Sequence, residues 1–447
     1  MNVVFYSSNS NFFEGNDFDI KRIPSEAQSW EALVKEFPDI NFTVITQLPG
    51  TFLLDIQGNS IEESLQKNNP KIKFLLSSAK DAPSFADEIL LQDADLAIAA
   101  SFWVRPFDWL SLEDALIASL LRDKGIHVLC NSQETALCCM DKGMTQSLFE
   151  RAGLAFAKGF TLDLQLFRAE RSHKEMRNNV YREFILTRLR KLTYPIVIKS
   201  TTGLSSYGMG LAVSFKQALA YLDSGKTNSD RIIEEYIEGD QAGAEVYGKD
   251  GHYKILPPFL FSVSRWGLTS PKQSIKAGPI TNEKYKLDQL YEMLLKAAKE
   301  IKLNGIMQVD LVFSKGKWFI IEINPRISGM SETYAEAMGT SVKKMLLQTA
   351  LGKKIESPLA YTINFKLPLL TDEQMQSLAK EENVLMIRQN RNKAARQERE
   401  KGYCEIIFGK RNSVADLKKD LDRLSCKYPT FFEEDFLVKA KDLLAKM

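Results

Sequence analysis

Short apolar runs bounded by polar segments punctuate roughly the first 130 residues, and 3–6, 42–46, 73–77, 95–100 and 127–129 each read as a buried strand. Between them 29–36, 61–68 and 112–124 carry helical patterns. Strands and helices alternating at this size predict a parallel α/β layer. The first strand is not followed by G-x-G-x-x-G, which counts against a dinucleotide-binding dehydrogenase. Further on, 131–153 reads as one helix capped by Asn131 or Ser132 and closed by a turn at Gly153. Residues 168–192 place Phe184, Ile185, Leu189 and Leu192 near helical spacing and predict an amphipathic helix. Mixed α and β continues to about residue 355, with 335–351 expected as a packing helix. After Pro358, the runs 361–367, 383–387 and 403–408 read as strands of a further α+β piece, and 393–401 as a charged helix or exposed loop. The chain shows no internal repeat and no low-complexity linker.

With 447 residues the chain is too long for one core and suits two to four packed subdomains. Its 44% hydrophobic and 26% charged residues are those of an ordinary soluble globular protein. A net charge of +2 argues against a general nucleic-acid or membrane-surface partner. The basic runs 188–191 and 388–399 read as solvated helix faces. Five cysteines (Cys130, Cys138, Cys139, Cys404 and Cys426) match no C-x-x-C or zinc spacing, so reduced thiols in a cytoplasmic protein are expected. The N-terminus lacks the pattern of a signal peptide, and no apolar run approaches the roughly 18 to 20 residues that span a bilayer.

Three segments carry candidate chemistry. Residues 194–199 (YPIVIK) bring Lys199 to a loop containing Gly203, Ser205, Ser206, Tyr207, Gly208 and Gly210. Small residues let backbone N–H groups approach phosphate oxygens, and the lysine adds a point charge; a plain turn is the alternative. The spacing is not that of a Walker A loop. Residues 231–239 run an apolar strand into Glu234, Glu235 and Glu238, an edge able to meet a purine or simply a solvated end. The strongest segment is 308–326, two apolar strands separated by Ser-Lys-Gly-Lys. Asp310 lies in the first strand; Glu322 and Asn324, two apart in the second, share a face with it. Oxygen ligands on one face of an apolar hairpin are costly to bury without a cation, and the absence of histidine favours Mg²⁺ over zinc.

In this order and spacing the segments resemble the ATP-grasp superfamily over roughly residues 130–350. The resemblance implies an ATP-grasp fold of α/β and α+β parts: a pre-ATP-grasp α/β domain over 1–130, a two-lobed grasp domain over 131–355 with its phosphate flap at about 199–210, and a C-terminal α+β lobe over 356–447. It implies ATP and two Mg²⁺ ions. Carried over by position, Lys142 and Lys199 reach ATP phosphates; Ser205, Ser206, Tyr207 and Gly208 form the flap; Glu234, Glu235 and Ile237 meet adenine. Asp310, Glu322 and Asn324 match the Mg²⁺ ligands. The position of the ribose-binding acid falls near Gln241, a departure for which Glu245 is a substitute candidate. Arg326 completes an E-x-N-P-R motif resembling L-amino acid ligases, carboxylases and carbamoyl phosphate synthetases, where it steadies the acyl phosphate or substrate carboxylate. Arg265, Lys276, Ser328 and Gly329 are substrate candidates. The implied reaction is ATP-dependent joining of a carboxylate to an amine through an acyl phosphate, on small-molecule partners. A bicarbonate-phosphorylating enzyme and a non-catalytic ATP-binding regulator are the alternatives, and a homodimer through the flanking pieces is compatible with the sequence.

Overall fold

The computed structural model describes residues 1–9, 18–48, 50, 52–55, 69–102, 109–169, 178–202, 209–224, 228–263, 274–356, 360–393, 395, 401–433 and 435–447. The expected parallel layer is present. Strands β1 (Asn2–Ser7), β3 (Asn41–Thr46), β4 (Ile72–Leu76), β5 (Leu96–Ala99) and β6 (His127–Leu129) pair in parallel in the order β4-β3-β1-β5-β6. The helix Glu26–Glu36 starts at a capping box formed by Ser25 and Gln28, three residues earlier than the apolar pattern predicts. A helix at Ala82–Leu90 was not anticipated; Asp81 caps it, accepting from the Ser84 N–H. The helix expected at 61–68 lies outside the described residues.

A second, antiparallel sheet orders β7 (Gly159–Leu162), β10 (Arg231–Glu235), β8 (Ile196–Ser200) and β9 (Gly210–Ala212) as β7-β10-β8-β9. One of its faces buries Phe160, Ile196, Ile198 and Ile233 against the helices Val180–Arg190 and Phe215–Asp223.

The largest sheet is built from β11 (Asp240–Lys249), β12 (His252–Ile255), β13 (Phe259–Phe261), β14 (Lys276–Gly278), β15 (Gly305–Ser314), β16 (Lys317–Asn324), β17 (Tyr361–Leu367), β18 (Val384–Asn392), β19 (Gly402–Arg411) and β2 (Phe18–Ile23). Its path is β16-β15-β11-β13-β14-β17-β19-β18-β2, with β12 branching from β11. Strands from the C-terminal stretch therefore continue the sheet that holds the hairpin, and an N-terminal strand closes its far edge. Along β15, Met307, Val309 and Leu311 enter the main core while Gln308 and Asp310 face the other way, the period of two expected of a strand. Burial of Val309 and Leu311 contributes about 1.5–3 kcal/mol each and holds the polar pair in place.

Directly paired residues project to one face, so the pairing draws a row across this sheet. Glu322 pairs with Asp310, Asp310 with Gly243, and Gly243 with Phe259. Phe261 pairs with Lys276, and Lys276 with Asn364. Two residues along, Lys366 pairs with Glu405, Glu405 with Arg388 and Arg388 with Arg22. One face thus runs from an acidic end to a cationic end.

Four local expectations are corrected. The segment 131–153 is two helices, Gln133–Met140 and Lys142–Ala152, because extended Asp141 ends the first and caps the second through the Met144 N–H. Only Val180–Arg190 of 168–192 is a described regular helix of that length, started by Asn179, while Leu164–Arg168 forms a separate short turn of helix. The helix expected over 335–351 is split into Ser331–Met338 and Val342–Ala350 by Gly339, whose φ of 69° is left-handed. Arg388 is no solvated helix residue: it lies in β18 and is 2% exposed.

Candidate active site

The hairpin β15–β16 supplies the acidic half of the site. A bulge between Asp310 and Leu311 moves the register by one residue, leaving Asp310 opposite Glu322 and Gln308 opposite Asn324. Gln308 ties the group together: its Nε2 donates to Asp310 Oδ1 at 2.7 Å, and its Oε1 accepts from Asn324 Nδ2 at 3.0 Å. Fixing the Asn324 amide by its nitrogen leaves Oδ1 as the atom suited to a cation. Burial, with Glu322 opposite, pushes the Asp310 carboxyl up to about 6. Burial acts the same way on Glu322, but Lys142, Lys199 and Arg326 outweigh it and hold that carboxyl below its ordinary value. Among the described residues no group of three His, Cys, Asp or Glu side chains forms a metal cluster. The set is two carboxylates and one amide oxygen, hard donors that fit Mg²⁺.

The second sheet and the helix Lys142–Ala152 supply the cationic half. Capping by Asp141 sets Lys142 at the first position of its helix, and its N–H donates to Thr201 O at 2.8 Å. Lys142 Nζ lies 2.9 Å from Glu322 Oε1. In β8 and β10, Lys199 pairs with Ile232, so Glu234 is its diagonal neighbour on the same face. Lys199 Nζ donates to Glu234 Oε2 at 2.8 Å. Burial pulls the Lys199 ammonium down, yet Glu234, with Glu322 and Asp310 beyond it, holds it above its ordinary value. Lys142, Glu234 and Glu322 line one cleft with Phe149, Phe156 and Ile320 as its apolar wall. Each lysine rests on a carboxylate, Lys142 on Glu322 of the hairpin and Lys199 on Glu234 of its own sheet.

Strand alternation turns Glu235 away from Glu234: its Oε1 accepts from the Thr193 N–H at 2.9 Å and lies 3.4 Å from Lys158 Nζ. Its side chain is thereby held by Thr193 and Lys158 rather than beside Glu234. Ile237 is half-buried just past β10, and Gln241 is half-buried in β11 opposite Val312. Glu245 is corrected as a ribose-binding candidate. It is fully buried, accepting from Ser328 Oγ at 2.8 Å, Ser331 Oγ at 2.6 Å and Tyr247 Oη at 3.1 Å. Burial pushes its carboxyl up to about 7 despite these donors. Since the folded-state value lies above 4.5, Glu245 favours folding most below pH 4.5, and this contribution fades as pH rises through 7. Glu245→Gln is expected to remove a component on the order of 3 kcal/mol from the pH dependence of unfolding between pH 4.5 and 7, read by urea titrations at both ends. Identical pH slopes in both proteins would refute the assignment.

Ser328 is thus a buried partner of Glu245, and Gly329 O accepts from Lys276 Nζ at 2.9 Å. Burial and Lys366 pull Lys276 down to about 8. Arg326, just past β16, donates through Nη1 to Ile327 O at 3.0 Å and lines a different cleft, shared with Ser101, Asp114 and Asn131. Asn131 pins the first sheet to the hairpin, donating to Ile306 O and Pro325 O at 3.0 Å each. Ser205, Ser206, Tyr207, Gly208 and Arg265 lie outside the described residues. Sequence reading assigned no role to Gln308, although its position two before Asp310 on the same face was the available signal. Asn364, Lys366, Arg388 and Glu405 were also missed, being single polar residues within apolar strands that only the pairing brings together.

A family profile described as an ATP-grasp domain matches residues 171–330. The arginine-specific carbamoyl phosphate synthase large chain of Geobacillus stearothermophilus is 23% identical over 175 residues, 39% of this chain and 16% of that relative's length. Among solved structures, the L-amino acid ligase from Bacillus licheniformis superposes with a TM-score of 0.63 at 15% identity, over 95% of this chain and 97% of that one. The biotin carboxylase domain of Hydrogenobacter thermophilus 2-oxoglutarate carboxylase, solved with MgADP, ADP and bicarbonate, gives 0.62 at 15% identity over 98% and 95%. These structural likenesses establish the fold.

Proposed function

The chain carries an ATP-grasp domain, and from that premise we propose that it is an ADP-forming carboxylate–amine ligase that uses Mg-ATP and takes amino acids or small acids as substrates. The observation that carries the reading is that Lys142, Glu322 and Glu234 line one cleft, with Lys199 held on Glu234 and with Asp310 and Asn324 beside Glu322 on the hairpin. Asp310, Glu322 and Asn324 would hold Mg²⁺, which neutralises charge on the phosphate oxygens when bound. Lys142 and Lys199 exchange their carboxylate partners for phosphate oxygens, a trade of one anion for another. A substrate carboxylate oxygen attacks the γ-phosphorus as the bond to ADP breaks. The amine then attacks the acyl carbon, releasing phosphate and losing a proton. Arg326 lines the neighbouring cleft but acts electrostatically on Glu322, and as a planar cationic donor it suits the acyl phosphate. Resemblance to an L-amino acid ligase over nearly both whole chains supports the amine as acceptor.

A second reading, phosphorylation of bicarbonate, is favoured by the carbamoyl phosphate synthase relatives, of which this chain covers only 16% in the case above. The test is ADP release from Mg-ATP against pools of L-amino acids, D-amino acids, small carboxylic acids and bicarbonate, with mass spectrometry of products. Amine-dependent release with a condensation product supports the ligase. Bicarbonate-dependent release without condensation moves the assignment to the second reading, and ATP binding without release in any pool favours a regulator. Lys199→Ala is expected to raise the KM for ATP about tenfold, roughly 1.4 kcal/mol of lost phosphate binding. An unchanged ATP dependence would remove Lys199 from the site.

A further inference from the structure

The cationic end of the largest sheet has no place in the reaction derived so far. Arg388 Nη2 donates to Glu405 Oε2 at 2.5 Å, but its Nε and Nη1 are buried without an acceptor among the described residues. The Arg388 guanidinium lies over Phe52 at 4.5 Å, and Phe52 packs edge-on against Phe102. Lys366, on the same face, forms no ion pair among the described residues and rests over the Tyr403 ring at 4.2 Å. Asn364 is fully buried, donates through Nδ2 to Thr333 Oγ1 at 2.7 Å and Glu405 Oε1 at 3.0 Å, and its Oδ1 has no partner among the described residues. Lys276, across the pairing from Asn364, gives its Nζ to the Gly329 carbonyl. Lys276, Lys366 and Arg388 thus gather on Glu405, with Glu332 also near Arg388, and Asp310 and Glu245 near Lys276. The neighbouring Arg22 has Glu26, Glu332 and Glu336 within 3.3 Å.

Buried N–H groups without acceptors are costly in a folded protein, and an excess of cations under aromatic walls is costlier still. A ligand anion removes both costs. We propose that Lys366 and Arg388, with Lys276 between them and the acidic hairpin, bind a second anionic group of the substrate, whose reacting carboxylate lies toward Asp310. The inference rests on the ligase reading and deepens it: the substrate is an acid with a further carboxylate or phosphate, not a simple monoacid. Three strand spacings, about 14 Å of sheet, separate Asp310 from Lys276; Lys366 lies one spacing further and Arg388 three, a span that the long side chains shorten from both ends.

The test pairs glutarate with valerate and L-glutamate with L-norvaline, adding 3-phosphoglycerate against glycerate to separate carboxylate from phosphate. ADP release from Mg-ATP is measured for each, and binding without nucleotide by calorimetry. The expected result is at least a tenfold preference for the doubly acidic member of a pair, reduced at least fivefold by Lys366→Gln at a half-buried position. Equal use and binding within every pair overturns the proposal, as does a preference that Lys366→Gln leaves intact. Glutarate binding above valerate without ADP release from any compound would keep the anion site and discard the ligase. ADP release that ignores the second acid would do the reverse. A protein that neither binds nor turns over any member overturns the anion site.

Discussion

Replacing Glu322 by alanine is expected to lower ATP-dependent turnover by about a thousandfold, some 4 kcal/mol of lost support for the transferring phosphoryl group. Glu322 faces Asp310 across the hairpin and holds Lys142 at 2.9 Å, so its removal disturbs the cation site and takes this carboxylate from Lys142. The side chain is 29% exposed, and the residues that bury the hairpin, such as Val309 and Leu311, lie on the opposite face. The fold should therefore survive, with little change in the thermal midpoint. Asn324→Ala should behave alike, with an added loosening of Gln308. The measurement is ADP release at saturating ATP and magnesium beside a thermal melt. Near-normal turnover in both variants would remove the hairpin from the active site; loss of turnover together with the melting transition would show only that the variants do not fold.

Arg388→Ala is expected to have the largest effect on stability, about 3–5 kcal/mol. The guanidinium and Glu405 are both almost fully buried and paired at 2.5 Å, so truncation leaves a carboxylate in the interior with Asn364 and the nearby lysines as its support. Burial raises the Glu405 carboxyl, but Arg388, Lys366 and Lys276 outweigh it and hold the group at about 2. Its folded-state value is below 4.5, so the contribution is present above pH 4.5 and lost as pH falls toward 2. Without Arg388 that loss should begin at higher pH. Urea unfolding at pH 7 and pH 4 reads both effects. The double variant Arg388→Ala with Glu405→Gln should recover part of the loss, because the orphaned charge is gone. A destabilisation below 1 kcal/mol would show that the pair is not the buried bridge described.

The parallel layer, the hairpin and the lysine-bearing strand were legible in the sequence, because each is specified by local periodicity. A strand of alternating burial announces itself through Val309 and Leu311, and the acids at Asp310 and Glu322 stand out against it. Helix ends were less legible. Asp141 and Gly339 break patterns that remain apolar across them, and capping depends on a backbone conformation rather than on hydrophobic spacing. Arg388 was misread as part of a solvated basic run because neighbouring charges in sequence project to opposite faces of a strand, one of which is covered.

By its own periodicity the sequence determined which residues form the acid-bearing hairpin and the strands around it. Tertiary structure alone decided that Lys142 meets Glu322, that Glu245 is sealed beneath Ser328 and Ser331, and that Lys366, Glu405 and Arg388 share a sheet face with Asp310. The reason is separation along the chain. Periodicity assigns a side chain to a face of its own element, while the identity of the facing strand is set by sheet order. Here that order joins β14 to β17 and β18 to β2, residues tens to hundreds apart, through pairings no local pattern encodes.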